Sequence, residues 1–129
     1  MEPARTGLHI LIVEDNPDSA YSTALLLRLF GHEIRVIHDG RTAVQVIREN
    51  PPDVVLLDIG LPELDGWEVA RQVNRPPGQK RPILVAVTGY GQEDDRRRSA
   101  EAGIDLHLVK PVDPLELQEI LRKFQTTLR

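Results

Sequence analysis

Apolar residues fall along the chain in five short runs: Leu8 to Val13, Ile34 to Ile37, Val54 to Leu57, Ile83 to Val87 and Leu106 to Val109. Each is too short for a helix and rich in Val, Ile and Leu, so they predict strands. Several lack polar–apolar alternation, as expected where helices cover both faces of a parallel sheet.

Between the runs the spacing becomes helical. Pro17 to Phe30 is predicted as a helix with Leu25, Leu26 and Leu29 on a face and Gly31 as its stop. Thr42 to Glu49 follows, with Ala43, Val46 and Ile47, stopped by Pro51. Gly66 to Asn74 is closed by "RPPG", and Gln92 to Ala102 by Gly103. Pro114 to about Leu128 carries an apolar stripe of Leu117, Ile120, Leu121, Phe124 and Leu128, behind Asp113 as a plausible N-cap. The alternation is (βα)5 with short connections, which implies right-handed crossovers and a doubly wound parallel sheet, an α/β fold. No repeat or low-complexity segment interrupts it, and "NRPPGQKRP" at 74–82 reads as an exposed loop.

Ligands of open α/β sheets bind beyond the carboxyl ends of the strands, where the strand order reverses. The first strand ends in Glu14 and Asp15, the third in Asp58, the fourth in Thr88 and the fifth in Lys110. The second ends in His38 and Asp39, off to one side in a 2-1-3-4-5 order. Three acids, a hydroxyl and an ammonium thus converge on one edge. At about 4 Å and an effective dielectric near 20, each close carboxylate pair costs roughly 4 kcal/mol, so protons or cations must intervene. Lys110 supplies one charge, and an oxygen-only pocket suits a hard divalent ion such as Mg²⁺.

Composition narrows the classes. The 129 residues fit one domain, expected at 8–129 behind a polar leader at 1–7. No apolar run approaches the roughly 20 residues of a membrane span, and "MEPARTG" is no secretory signal. With no Cys there is neither a disulfide framework nor a thiolate zinc site, and a cytoplasmic location is expected. A net charge of −4 gives no general attraction to nucleic acid. The loop after strand 1, "EDNPDS", is an acidic rim that would repel the phosphate of a flavin or dinucleotide, and no P-loop is present.

Four segments, "ILIVEDNPD" at 10–18, "LLDIGLPELDG" at 56–66, "VAVTGYG" at 85–91 and "LVKPVDP" at 108–114, resemble the response-regulator receiver domain of two-component signalling from end to end. "GIDLHLVKPVDPLEL" further resembles receivers attached to hybrid sensor kinases. The resemblance implies a flavodoxin-like fold of strand order 2-1-3-4-5. It implies a phosphoprotein whose Asp58 becomes a 4-aspartylphosphate by transfer from a phosphohistidine of a histidine kinase or histidine phosphotransfer protein. Asp15, Asp58 and the backbone carbonyl of Gly60 match the Mg²⁺ ligands, with Glu14 holding a metal-bound water. Lys110 matches the residue paired with a phosphoryl oxygen and Thr88 the switch hydroxyl, the bond before Pro111 is often cis, and Gly60 and Tyr90 occupy positions that modulate hydrolysis. Tyr90 is expected to slow dephosphorylation.

Signalling would reach the face of helix 4, strand 5 and helix 5, read by a downstream effector or an attached output domain, with helix 1 as the kinase docking surface. The chain would be no enzyme beyond its own phosphorylation and dephosphorylation. A pseudo-receiver, an unphosphorylated protein-interaction module of the same fold, is the alternative.

In the family an aromatic residue usually precedes the Lys by three. Here it is His107, either a switch element or a half-exposed strand residue, and Glu14 replaces the commoner Asp. Helix 4, "QEDDRRRSAEAG", offers little beyond Ala100 and Ala102 to bury, which suits a moving part. His9, His32 and His38 are expected at the surface, Arg96 to Arg98 on a solvated helix face, Asp65-Gly66 at a turn and helix start, and Trp67 as packing for helix 3.

Overall fold

The computed structural model describes residues 7–61, 64–73, 81–89 and 93–127. Strands β1 (His9–Val13), β2 (Glu33–Ile37), β3 (Val54–Asp58), β4 (Ile83–Thr88) and β5 (Leu106–Val109) alternate with helices α1 (Pro17–Leu29), α2 (Gly40–Glu49), α3 (Gly66–Val73), α4 (Glu93–Glu101) and α5 (Pro114–Thr127). The strands pair in parallel in the order β2-β1-β3-β4-β5, as expected. The chain reverses direction across the sheet beside β1 and β3, which carry Glu14 and Asp58 at their ends.

The missing alternation has its reason in two cores. Ile10, Ile12, Val54, Leu56 and Val85 point to one side, against Ala20, Ala24 and Leu27 of α1 and Leu117 and Leu121 of α5. Leu11, Val13, Val55, Leu57, Leu84 and Ala86 point to the other, against residues of α2 and α3 and Ala102 beyond α4. The period of two is present, but both faces are apolar because both are covered. Fully buried side chains such as Leu27 and Leu121 each contribute roughly 2 kcal/mol of burial free energy.

Local signals set the boundaries. Asn16 caps α1, accepting from the amides of Asp18 and Ser19, with Pro17 in the first turn. Asp39 caps α2 by accepting from Thr42 N–H at 2.8 Å, and Asp65 caps α3 by accepting from Glu68 N–H at 2.9 Å. Asp113 accepts from Leu115 N–H at 2.9 Å, the cap expected there. Gly31 and Gly103 follow α1 and α4 at φ 95° and 90°, left-handed positions that favour glycine. The predicted reach to Asn74 and Leu128, the loop residues 74–80 and the start at Gln92 lie outside the described residues.

Three packing expectations are corrected. Helix α1 buries Ala20, Ala24 and Leu27, whereas Leu25, Leu26 and Leu29 are exposed. Small residues at i and i+4, with Leu27 at i+7, let the helix lie close to the sheet, which the leucine count conceals. Among the described side chains of α4, Ser99 is buried and Ala100 is exposed, whereas Ala102, just beyond the helix, is buried as expected. His32 is buried: Nδ1 accepts from Leu8 N–H at 3.1 Å, and Nε2 lies 3.0 Å from Gln118 Oε1. Because a backbone amide can only donate, the ring is the Nε2–H tautomer and both nitrogens are satisfied.

Candidate functional site

Glu14 is the first residue beyond β1, and its backbone is held from both sides. Its N–H donates to the Ile37 carbonyl at 3.0 Å, and its carbonyl lies 3.0 Å from His38 Nδ1. A carbonyl only accepts, so His38 donates there. His38 is exposed, as expected, and its bond steadies the turn that carries Glu14 and exposed Asp15. The Glu14 carboxylate is buried and accepts from Asn16 N–H through Oε2 at 3.3 Å.

Asp58 ends β3, and the answer to why a buried strand ends on an acid lies in its neighbours. Its Oδ1 accepts from Gly60 N–H at 2.9 Å. Its Oδ2 lies 3.6 Å from Lys110 Nζ, which also donates to Glu14 Oε1 at 3.1 Å. Lys110 N–H is bonded to the Thr88 carbonyl at 2.7 Å, so the lysine continues the β4–β5 ladder by one step, and the Lys110–Pro111 bond is cis as expected. Thr88 is buried at the end of β4.

Glu14, Asp15 and Asp58 can each offer one oxygen so that all three lie within 4.8 Å of one another. Burial raises the pKa of Glu14 first, and its carboxyl neighbour Asp58 raises it further, against the lowering contacts of Lys110 and Asn16. Burial alone would lower the pKa of Lys110. The hydrogen bond to Glu14 and the charges of Asp58 and Glu14 outweigh it, and the net shift is upward. One ammonium thus leaves the carboxylate cluster under-neutralised, and an all-oxygen donor set of this kind fits Mg²⁺. A cavity of about 640 Å³ opens beside the cluster, lined by Glu14, Asp58, Lys110 and Pro111 and by Leu26 and Leu117 at its helical walls.

The other expected residues divide. Gly60 contributes its amide to Asp58. Tyr90 lies outside the described residues, as does the side chain of Arg96. Trp67 is buried, as expected for packing of α3, but its Nε1–H also donates to Ser99 Oγ at 3.0 Å, and the Arg98 guanidinium sits 3.8 Å above its ring. His107 Nδ1 lies 3.2 Å from the same Ser99 Oγ. Sequence reasoning missed Ser99 and His38. Nothing in a run as polar as "DDRRRSAE" marks one serine as interior, whereas a histidine next to a strand end beside the acidic loop was a signal available to read.

These features define a class: a doubly wound α/β domain with an acidic, lysine-braced pocket at its topological switch. The model of the response regulator receiver domain matches residues 10–122, and the chain belongs to that family. Phosphotransfer to an aspartate is the family's general function. The chain is 36% identical over 122 residues to the response regulator MprA of Mycolicibacterium vanbaalenii, covering 95% of this chain and 51% of that protein. It is 32% identical over 108 residues to the gliding motility regulatory protein of Myxococcus xanthus, covering 84% of this chain but 14% of that one. It therefore spans about half or less of the length of these two curated relatives. Among solved structures it resembles the receiver domain of the sensor histidine kinase PA1611 of Pseudomonas aeruginosa, with a magnesium ion coordinated in the active site cleft. That similarity has a TM-score of 0.83 at 32% identity and covers 94% of this chain and 99% of that one. Among the described residues no helix is long and apolar enough to cross a membrane.

Proposed function

We propose that this chain is a Mg²⁺-dependent phosphoacceptor module of a phosphorelay, taking a phosphoryl group from a partner phosphohistidine onto Asp58. The observation that carries the reading is the shared ammonium: Lys110 Nζ stands 3.1 Å from Glu14 and 3.6 Å from Asp58. An aspartyl oxygen of Asp58 forms a bond to phosphorus as the phosphorus–nitrogen bond of the donor breaks, and the imidazole released takes up a proton. Lys110 is placed to pair with a phosphoryl oxygen, in keeping with a reaction that depends on positioning and electrostatics. The amide of Gly60 orients the nucleophile through Oδ1.

Asp15 and Asp58, with the Gly60 carbonyl, would hold Mg²⁺, and Glu14 would hold a metal-bound water. The ion would neutralise charge on the transferring group. Thr88, one strand over, is the hydroxyl that senses the product. The module performs no chemistry on other substrates, its donor is a histidine kinase or histidine phosphotransfer protein, and an effector or output domain reads the α4–β5–α5 face. A cytoplasmic setting fits this donor.

Incubation with acetyl phosphate and Mg²⁺ tests the reading. Intact mass should show one phosphoryl adduct on the native chain and none on Asp58→Asn. A natively folded wild type that takes no phosphoryl group from acetyl phosphate or from any phosphohistidine donor would leave the pseudo-receiver as the correct description.

A further inference from the structure

The outward side of α1 lacks the polar residues that a solvent-facing helix carries. In α2 the exposed positions are Arg41, Thr42, Gln45, Arg48 and Glu49, all polar, as an amphipathic surface helix requires. In α1, whose buried side is Ala20, Ala24 and Leu27, the exposed positions include Tyr21 at 66% and Leu29 at 75%, with Leu25 and Leu26 between them. Phe30, directly after the helix, is exposed as well. Five of the seven exposed large hydrophobic side chains among the described residues therefore belong to this one segment. A contiguous apolar patch of this kind marks an interface rather than a surface left to water.

The charges indicate what covers it. Asp18 and Arg28 are the two charged residues of α1, one at each end. Asp18, Tyr21, Leu25 and Arg28 follow one another at spacings of three, four and three, so they share one side of the helix. The series is self-complementary about Thr23, which is the midpoint both of Asp18 and Arg28 and of Tyr21 and Leu25. A second α1 turned about a two-fold axis at Thr23 lies antiparallel to the first. Its Arg28 then faces Asp18 and its Leu25 faces Tyr21, and each contact is made twice. Arg28 is already steadied for this role: its guanidinium donates to the Ile34 carbonyl of β2 at 3.1 Å, which uses one of five N–H donors. A partner surface of one charge sign would meet its like at one end of the face, whereas a second copy meets opposites at both.

We infer that α1 is a self-association surface, pairing antiparallel with α1 of a second copy of this chain. The apolar contacts supply the affinity, and the two exposed ion pairs, each worth little, fix the direction. A helix of 13 residues is about 20 Å long, so the face falls short of the roughly 800 Å² per partner of a standard interface. The dimer is accordingly weak, with a dissociation constant on the order of 100 µM. The inference stands apart from the chemistry at Asp58. A protein phosphodonor that docks on α1 competes with the second copy for the same residues.

Sedimentation velocity of the full chain between about 10 µM and about 1 mM tests it. The wild type should pass from monomer to dimer across this range. Leu25→Ser, a change at an exposed position, removes an apolar contact twice per dimer and should weaken association at least about tenfold. Asp18→Arg and Arg28→Asp, each alone, set like charges against each other at both ends and should weaken it about as much. An equimolar mixture of these two variants brings opposite charges together again at both ends, and should associate within about threefold of the wild type. A wild type that stays monomeric to about 1 mM overturns the inference and leaves the face to a different protein. A dimer that persists unchanged in Leu25→Ser, or a mixture no better than its components, overturns it too. Where a charge reversal disturbs the ends of the helix, the wild type against Leu25→Ser decides.

Discussion

Lys110 Nζ donates to Glu14 Oε1 across 3.1 Å, joining residues 96 positions apart at the ends of β1 and β5. The two strands are not neighbours, since β3 and β4 lie between them. The contact therefore passes over the end of β3, and Asp58 is held beneath it. The bond braces the site, but one cation does not neutralise the acids it faces.

Glu14 follows a definite sign. Its folded pKa is raised, by burial before all else, so its contribution to stability is fully present below its unfolded value near 4.5 and is lost as pH rises through the folded value. At neutral pH the buried charge is a cost. Glu14→Gln should then be more stable than the wild type at pH 7 in the absence of divalent ions, by about 1 kcal/mol, or a Tm gain of roughly 3–5 °C at this size. The gain should vanish below the carboxylate range. Thermal melts at pH 7 and pH 4 in a chelating buffer check both halves.

Divalent ions should act through the same acids. Mg²⁺ should raise the Tm of the wild type by the mass-action amount, about 2.7 kcal/mol at a concentration 100-fold above its dissociation constant. Asp15→Asn, an exposed position whose loss creates no cavity, should fold normally and respond far less. An equal rise in both proteins would remove Asp15 from the metal site.

His38 holds the Glu14 carbonyl at 3.0 Å without touching the cluster. His38→Ala should loosen the turn and weaken Mg²⁺ binding severalfold, at a cost of about 1 kcal/mol to folding. His38→Asn, which retains a donor, should recover part of the affinity. Titration of backbone amide shifts with Mg²⁺ measures it.

Two glycines near Asp58 separate by their surroundings. A Cβ on Gly66 would lie 2.7 Å from the Asp58 carbonyl oxygen and 2.8 Å from Ile59 Cα, both backbone, whereas one on Gly60 would meet only Asp58 Oδ1 at 3.6 Å. Gly66→Ala should destabilise by about 2–3 kcal/mol through overpacking, and Gly60→Ala by less than about 1 kcal/mol. Urea unfolding of the two variants distinguishes them.

His32 carries a further cost. It closes hydrogen bonds to the Leu8 amide and to Gln118 of α5 in a buried position. His32→Ala should lose about 2–4 kcal/mol, since a cavity forms and the Leu8 amide loses its partner. The urea midpoint of this variant against the wild type checks it.

The chain's own pattern determined the element order, the parallel doubly wound sheet and the meeting of Glu14, Asp15, Asp58, Thr88 and Lys110 at one edge. Strand ends are written locally, in where an apolar run gives way to a polar residue, and parallel topology carries those ends to the same side. Tertiary structure alone decided which neighbours each side chain meets. The exposed leucines of α1, the interior positions of His32 and Ser99, and the hold of His38 on Glu14 depend on how closely helices approach the sheet. A residue's polarity and spacing do not encode that distance. The same holds for His107: its place on β5 was legible, but its contact with Ser99 exists only once α4 is packed against it.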